Sequence, residues 1–479
     1  MSVALPDGLV AIVKRDCPTC RLVVPVLEAL RARGEPALTV YSQDDPAFPP
    51  GLDARDDTDL DLSFALDVDT VPTLLRVEGG RERDRLVGWS REAWAPFTGV
   101  RDLGAGLPPQ RPGCGSRTRD PDLVAARAAV ADAARLTSRR VALGPSEDEA
   151  EAMFDRGWTD GLPVVPPTPE RVARMLTDTT RDPGEVIAVV PPDLVPCTVE
   201  KVAVNAVLAG ARPDYLPVVL AAVAAACTDE FNIHGLLATT WFSGPLVIVN
   251  GPRARAIGMN AGINALGQGT RANATIGRAL QLVIRNVGGG RPGEVDRATL
   301  GQPGKYTFCF AEREHDSPWE PLHVTRGLPA TSSAVTLFAA EGPRGIIDQL
   351  SRDADSLANS FAACLRTTTH PKLAVAFDAV LVVSPEHARV FHDAGWTKAR
   401  LLDELRARLE IPGAELVRGA GGIAEGLPDG VRDLTLPKFR DGGLLIVHAG
   451  GGAGLFSAII GGWASGPTGS APVTKEIDP

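Results

Sequence analysis

The sequence lacks an excess of positive charge and lacks long apolar runs. Its 479 residues contain 49 Lys and Arg against 59 Asp and Glu, so the formal net charge is −10. Nucleic-acid binding needs clustered basic residues, which no segment supplies. The most apolar run, YLPVVLAAVAAAC from Tyr215 to Cys227, is shorter than the roughly 20 residues of a membrane-spanning helix. We therefore expect neither a nucleic-acid partner nor a membrane partner.

A targeting segment and a regular cysteine framework are also missing. The first residues, MSVALPDGLVAIVKRD, show no basic segment followed by a long apolar stretch, which predicts a cytoplasmic protein. The chain has 7 cysteines, an odd number spread over its whole length. In a reducing compartment such cysteines are thiols rather than structural disulfides.

Several catalytic signatures are absent from the sequence. There is no P-loop, no GxSxG nucleophile turn, and neither an HExxH motif nor paired CxxC motifs that would bind zinc. The composition, with 44% hydrophobic and 23% charged residues, is that of a globular protein. At roughly 100–200 residues per domain, its length predicts about two to four domains.

The segment KRDCPTCRLVVP, from Lys14 to Pro25, is the clearest chemical motif. It follows a strand-like run, GLVAIVK, and precedes helical spacing from Leu22 to Arg33. Cys17 is therefore expected at a helix N-terminus, where the helix dipole favours the thiolate. The position predicts Cys17 as the attacking thiol and Cys20 as the resolving thiol.

Residues 1–100 resemble thioredoxins and glutaredoxins. The resemblance rests on the CPTC motif, on Pro25 eight residues after Cys17, and on a Val-Pro-Thr segment that contains Pro72. It implies a thioredoxin-like domain in which Pro72 is cis beside the active site, with disulfide chemistry that requires no cofactor. Two other interpretations remain open, a thioredoxin fold with inert cysteines and half of a zinc site.

The stretch from Val100 to Arg119, VRDLGAGLPPQRPGCGSRTR, is rich in Gly and Pro. This composition predicts an interdomain linker at residues 101–119. This segment contains Cys114, and its Gly-Cys-Gly-Ser stretch resembles the start of the Sec-Gly-Ser-Cys signature of the UGSC selenoprotein family. Arg117 stands at the position of the second cysteine of that signature. Nearby arginines (Arg111, Arg117 and Arg119) would lower the pKa of Cys114 if they approach it. Cys114 is thus either a reactive thiol or a chance cysteine in a linker.

Residues 120–479 alternate helix-like and strand-like segments, starting with an Ala-rich helix from Asp122 to Arg139. This alternation predicts a large layered α/β domain, either undivided or with two subdomains. The region resembles uncharacterised bacterial proteins associated with the UGSC group, a resemblance that implies no particular reaction or cofactor.

The segment QPGKYTFCFAEREHDSPWEPLHV, from Gln302 to Val324, holds the densest set of reactive side chains in this region. Strand alternation would place Lys305 and Cys309 on one face, with Glu312 and His323 beyond them as acid, base or metal candidates. His234, expected just before a strand, is a further metal candidate. Alternatively, Cys309 is a small core residue.

Three functions are compatible with these features. The first is a thiol-disulfide oxidoreductase, in which the CxxC motif exchanges electrons with a thiol or sulfur-bearing intermediate at the larger domain. Cys114 or Cys309 would be its internal target, and an external thiol or disulfide and a small-molecule substrate its partners. The second is a metal-dependent lyase or hydrolase that uses His234, Glu312 and His323. The third is a redox-controlled binding protein.

Overall fold

The computed structural model describes residues 5–124, 135–144, 146–466 and 468–478. The chain divides into two compact units, Met1–Ala131 and Asp132–Pro479. The helix predicted from Asp122 to Arg139 falls for the most part outside the described residues. Within the described ranges, no helix is both long enough and apolar enough to span a membrane.

The first unit combines short strands with helices. Its strands are β1 (Gly8–Val13), β2 (Leu38–Ser42), β3 (Arg55–Asp56), β4 (Thr70–Val71), β5 (Thr73–Glu78), β6 (Arg81–Val87), β7 (Trp89–Ser90), β8 (Gln110–Arg111) and β9 (Cys114–Gly115). Its helices are α1 (Pro18–Arg33), α2 (Asp61–Ala65) and α3 (Arg91–Thr98).

A five-stranded mixed sheet, in the order β3-β2-β1-β5-β6, forms the centre of this unit. Strand β1 pairs in parallel with β2 and antiparallel with β5. Residues 9–13 of β1 are buried on both faces, which explains why this strand is an unbroken apolar run. The chain leaves β1 and enters α1 within five residues, so the CxxC motif lies at the end of the central strand.

The Gly- and Pro-rich segment 101–119 belongs to the first compact unit. Its two short strands pair with the main body, β8 with β7 and β9 with β4. The Gln43 amide, fully buried, donates to Ser116 Oγ at 2.7 Å and accepts from Arg117 N at 3.2 Å. Side-chain hydrogen bonds therefore hold the segment in place where regular secondary structure is short.

The second unit has longer elements. Its strands are β10 (Val186–Val190), β11 (Val195–Thr198), β12 (Gly244–Asn250), β13 (Cys309–Ala311), β14 (Ala334–Ile347), β15 (Phe377–Val383), β16 (Glu410–Pro412), β17 (Thr435–Pro437), β18 (Leu444–His448), β19 (Phe456–Ala464) and β20 (Val473–Glu476). Its helices are α4 (Glu149–Asp155), α5 (Pro169–Met175), α6 (Val199–Ala209), α7 (Leu216–Ala226), α8 (Ile233–Ala238), α9 (Pro252–Ala256), α10 (Arg271–Asn286), α11 (Leu322–Thr325), α12 (Ala354–Arg366), α13 (Pro385–Asp393), α14 (Lys398–Arg408) and α15 (Gly413–Leu416).

Six strands of its main sheet follow the order β13-β12-β14-β19-β15-β18, and β20 pairs with β14. The sheet contains two similar groups of three strands. Strand β12 is parallel to β13 and antiparallel to β14, while β15 is parallel to β18 and antiparallel to β19. The antiparallel β14–β19 pair joins the groups. Each parallel pair requires a crossover, and helices such as α10 and α14 lie in these crossovers.

The main sheet is strongly curled. In a flat sheet the edge strands β13 and β18 would be about 24 Å apart, five strand spacings. Instead, Arg313 N, just after β13, donates to the carbonyl of His448 at the end of β18 at 2.7 Å. A buried cluster inside the curl includes Phe310, Val447 and residues of the four strands between them. Two further cores pack helices against the outside, so the unit is a layered α/β structure.

Candidate active site

Cys17 occupies the N-cap position of α1. Its Sγ accepts a hydrogen bond from Cys20 N at 3.3 Å, so the thiol caps the first turn. Pro18 follows at the first helical position, where the N–H that proline lacks would have no partner in the helix. The CPTC sequence thus starts the helix and points the Cys17 sulfur at its positive end.

Strand pairing brings Cys114 to the same place. In the β4–β9 ladder Val71 is the register partner of Cys114, and Cys17 Sγ lies 3.6 Å from the Val71 carbonyl oxygen. Cys17 and Cys20 are fully buried, whereas Cys114 is only partly buried. We call these three residues the thiol cluster, of which Cys114 is the member in contact with solvent.

The three thiols have unequal acidities. A hydrogen bond from the Cys20 thiol, opposed by burial and assisted by a hydrogen bond from Cys114, lowers the pKa of Cys17 to about 5. Burial is the main cause that raises the pKa of Cys20, with the hydrogen bond to Cys17 adding to it. Burial, followed by the hydrogen bond to Cys17, also raises the pKa of Cys114. The cluster therefore favours one thiolate, at Cys17, held by two thiol donors.

The suggestion that nearby arginines lower the pKa of Cys114 is wrong. Arg117 Nη1 donates to the Gln43 carbonyl at 2.6 Å, and Arg119 forms an ion pair with Asp69 at 2.7 Å. Neither guanidinium is a cause of the Cys114 shift, and that shift is upward.

Two contacts fix the segment that carries Cys114. Thr19 Oγ1, within the CPTC motif, donates to the carbonyl of Pro112 at 2.7 Å. Gly113 packs so closely that an added Cβ would lie 2.4 Å from Thr70 Cγ2 and 2.8 Å from the Val71 oxygen. The role of Thr19 was not predicted, because its partner is a backbone carbonyl 93 residues away.

Pro72 lies directly beside the thiol cluster. The Val71–Pro72 peptide bond is cis, and Val71 contacts both Cys17 and Cys114 through the interactions described above. The candidate site is therefore assembled from three segments of the chain: the CPTC motif, the segment that contains Pro72, and the segment that contains Cys114.

Lys305 and Cys309 do not share a strand face as predicted. Lys305 lies in a 3-10 helix (Pro303–Lys305), and its Nζ forms an ion pair with Asp296 at 2.8 Å. Strand β13 begins only at Cys309, which is buried, and that burial raises its thiol pKa. Cys309 is thus a core residue with a poorly reactive thiol.

The three metal candidates lie on different elements. His234 is exposed on α8 rather than just before a strand. Glu312 is buried and accepts from Leu322 N at 2.6 Å, while neither ring nitrogen of the buried His323 has a hydrogen-bond partner among the described residues. Across the described ranges, no three His, Cys, Asp or Glu side chains are grouped to hold a metal ion.

Glu312 belongs instead to a buried polar group that the sequence did not reveal. Its carboxylate accepts from Asn250 Nδ2 at 2.7 Å and His448 N at 3.3 Å, and Lys398 Nζ lies 3.5 Å away. Asn250 and Glu312 meet because β12 and β13 are neighbouring parallel strands, whereas His448 reaches them because the sheet curls. A charged residue beside an apolar strand was the only available signal.

No model of a known protein family matches this chain, and no curated protein does.

Proposed function

We propose that the first unit is a thioredoxin-like domain that acts as a thiol-disulfide oxidoreductase. The observation that carries the proposal is the Cys17 thiolate, which is stabilised at the start of α1 by two neighbouring thiols and has a pKa of about 5. A thiolate is the nucleophile in thiol-disulfide exchange, and an adjacent thiol is needed to release the product. A mixed sheet with α1 directly after its central strand, and a cis Pro72 beside the sulfurs, support the assignment to the thioredoxin-like class.

The Cys17 thiolate is the nucleophile in this proposal, and Cys114, the partly exposed member of the thiol cluster, marks the side from which a disulfide reaches it. The Cys17 thiolate attacks an external disulfide, RS–SR. A Cys17–SR bond forms, and one RS⁻ leaves and takes up the proton of Cys114.

Two internal exchanges complete the reaction. The deprotonated Cys114 sulfur attacks the Cys17 sulfur, so a Cys17–Cys114 disulfide forms and the second RS⁻ leaves. The Cys20 thiolate then attacks Cys17, which yields a Cys17–Cys20 disulfide, and the Cys114 sulfur takes up the proton that Cys20 gave up. The external disulfide gains two electrons and the Cys17–Cys20 pair loses two. An external dithiol reduces the pair again.

A trapping experiment tests this sequence. The reduced Cys20→Ser protein is treated with oxidised glutathione, quenched in acid and mapped by mass spectrometry without reduction. We expect a Cys17–Cys114 disulfide, because the resolving thiol is missing. The matched Cys20→Ser/Cys114→Ser protein should carry glutathione on Cys17 instead.

The other outcomes would contradict specific parts of the proposal. Glutathione on Cys17 with a free Cys114 in the single variant would rule out Cys114 as the internal target. A Cys17 that stays reduced in both proteins would rule out the oxidoreductase itself.

A further inference from the structure

The second unit contains a cavity of about 620 Å³ beside the curled sheet. This volume is within the range of about 300–1,000 Å³ that small-molecule sites occupy. It is enclosed by the segment around α11, by the start of α14 and by β18. Its lining includes Trp319, Arg326, Leu402 and the β18 residues Leu444, Leu445 and Ile446.

The cavity runs along the free edge of β18. Successive side chains of a strand point to opposite faces, yet Leu444, Leu445 and Ile446 all line the cavity. Leu444 and Ile446 pack in the outer core with the helices, whereas Leu445 packs inside the curl. A space that reaches both faces of one strand must pass along its edge.

Hydrogen-bonding groups of the β18 backbone face this space. On the β15 side the bonds involve odd-numbered residues, since Gly443 O accepts from Ala379 N at 2.8 Å and Ala449 N donates to Val383 O at 3.2 Å. The even-numbered residues therefore direct their N–H and C=O groups outward. At His448 both groups are used, by Glu312 and Arg313.

Among the described residues, none forms a hydrogen bond with the outward-facing backbone groups of Leu444 and Ile446. Arg313 begins to pair with the edge at His448, and the cavity continues along that edge toward Gly442. An extended peptide backbone fits unpaired groups of this kind, because it adds a strand to the sheet. The apolar walls, which include Trp319 and Leu402, would receive a side chain of such a ligand.

The charges at the cavity favour an anionic end on the ligand. Arg326 donates to Thr474 Oγ1 at 2.6 Å and to the Pro472 carbonyl at 2.8 Å, and it has no carboxylate partner among the described residues. The N-terminus of the eleven-residue helix α14 also faces the cavity at Lys398 and Ala399. Glu320 is the single acidic residue in the lining.

We propose that this edge of β18, which we call the edge groove, binds a short extended peptide that ends in a free carboxylate. The backbone of the ligand pairs with Leu444 and Ile446, its apolar side chain lies near Trp319 and Leu402, and its carboxylate lies near Arg326. The proposal concerns the second unit alone and is independent of the thiol chemistry.

Calorimetric titration of the full chain with N-acetyl-alanyl-leucine tests this site. We expect N-acetyl-alanyl-leucine to bind saturably. Its C-terminal amide should bind about tenfold more weakly, because a charge-assisted hydrogen bond is lost. The analogue N-methylated at leucine should bind at least about fivefold more weakly, because it cannot donate to the strand edge.

Variants locate the binding. Arg326→Gln should weaken binding of the acid about tenfold and leave that of the amide unchanged, whereas Arg432→Gln, at an exposed position elsewhere, should change neither. Leu402→Trp should fill the cavity and abolish binding, and Leu350→Trp, at a residue 88% exposed, should not. Circular dichroism checks that each variant is folded.

Three results would overturn the proposal. They are the absence of saturable binding of the acid at millimolar concentration, equal binding of the N-methylated analogue, and unchanged binding by a folded Leu402→Trp protein.

Discussion

At the scale of single residues, the chemistry of the first unit depends on the unequal protonation of three sulfur atoms. Cys17 receives hydrogen bonds from the thiols of Cys20 and Cys114, and each of these donors becomes harder to deprotonate as a result. A single negative charge shared among three buried or partly buried thiols costs less than two charges would. The cluster therefore keeps one nucleophile and two proton donors near neutral pH.

This arrangement predicts the pH dependence of the reduced protein. The pKa of Cys17 is about 5, so thiolate ultraviolet absorbance should appear as the pH rises through about 5 and should be absent from that range in Cys17→Ser. In Cys114→Ala the midpoint should move upward, because one donor to the thiolate is lost. Cys114→Ser keeps a hydroxyl donor and should shift the midpoint less. A midpoint unchanged in Cys114→Ala would show that Cys114 does not stabilise the thiolate.

At the scale of secondary-structure elements, the position of β9 determines whether Cys114 reaches Cys17. Gly113 and Gly115 flank Cys114 and provide a matched pair of substitutions. A Cβ at Gly113 would lie 2.4 Å from Thr70 Cγ2, whereas a Cβ at Gly115 would meet nothing within 4 Å. Any side chain at position 113 would clash with its neighbours, whereas position 115 has room for one.

We expect Gly113→Ala to destabilise the reduced protein by roughly 1–3 kcal/mol in urea unfolding, because a backbone oxygen and a side chain must move. It should also raise the pKa of Cys17 as β9 shifts away. Gly115→Ala should be nearly neutral in both measurements. Equal effects of the two substitutions would contradict the packing of this segment.

A separate prediction concerns the buried ion pair between Lys398 and Glu312, beside the curled sheet of the second unit. The side chains of Lys398 and Glu312 are only 12% and 2% exposed. Lys398→Met should cost about 3 kcal/mol in urea unfolding, because it leaves a buried carboxylate without its cation. In a Glu312→Gln background the same substitution should cost less than about 1 kcal/mol, since no charge remains to compensate. Equal costs in the two backgrounds would mean that the residues are not coupled.

Local sequence patterns predicted secondary-structure elements better than they predicted contacts between side chains. Thr168 followed by Pro169 is typical of a helix start, and α5 begins there with Thr168 as its N-cap. The apolar stretch from Thr198 to Cys227 likewise forms α6 and α7. These features depend on capping and on apolar content within one stretch of chain. The predicted strand through Lys305 is wrong, because a 3-10 turn and the ion pair with Asp296 replace strand pairing there.

The candidate site shows the same difference. The location of Cys17 at a helix start follows from the neighbouring residues alone and is confirmed. The proximity of Cys114 depends on β4–β9 pairing and on the bond from Thr19 to Pro112, neither of which leaves a periodic signal. The edge groove depends on sheet curl, which is a property of all six strands together.

At the scale of the whole molecule, each compact unit has its own hydrophobic core. One core consists of residues from the first unit only, and the three main cores of the second unit contain none of them. Independent cores of this kind allow separate folding. The segment 106–119 is part of the first unit, since Trp89 Nε1 donates to the Pro108 carbonyl at 2.8 Å and Gln43 bonds to Ser116.

Three fragments test this division of the chain. Fragments 1–131 and 132–479 should each be monodisperse under reducing conditions and should each unfold cooperatively in urea. Fragment 1–105 should be less stable than 1–131 by several kcal/mol, because buried donors such as the Trp89 indole and the Gln43 amide lose acceptors, at about 1–3 kcal/mol each. Equal stability of 1–105 and 1–131 would show that the Cys114 segment is not part of the fold of the first unit. Aggregation of 132–479 would show that the second unit needs the first in order to fold.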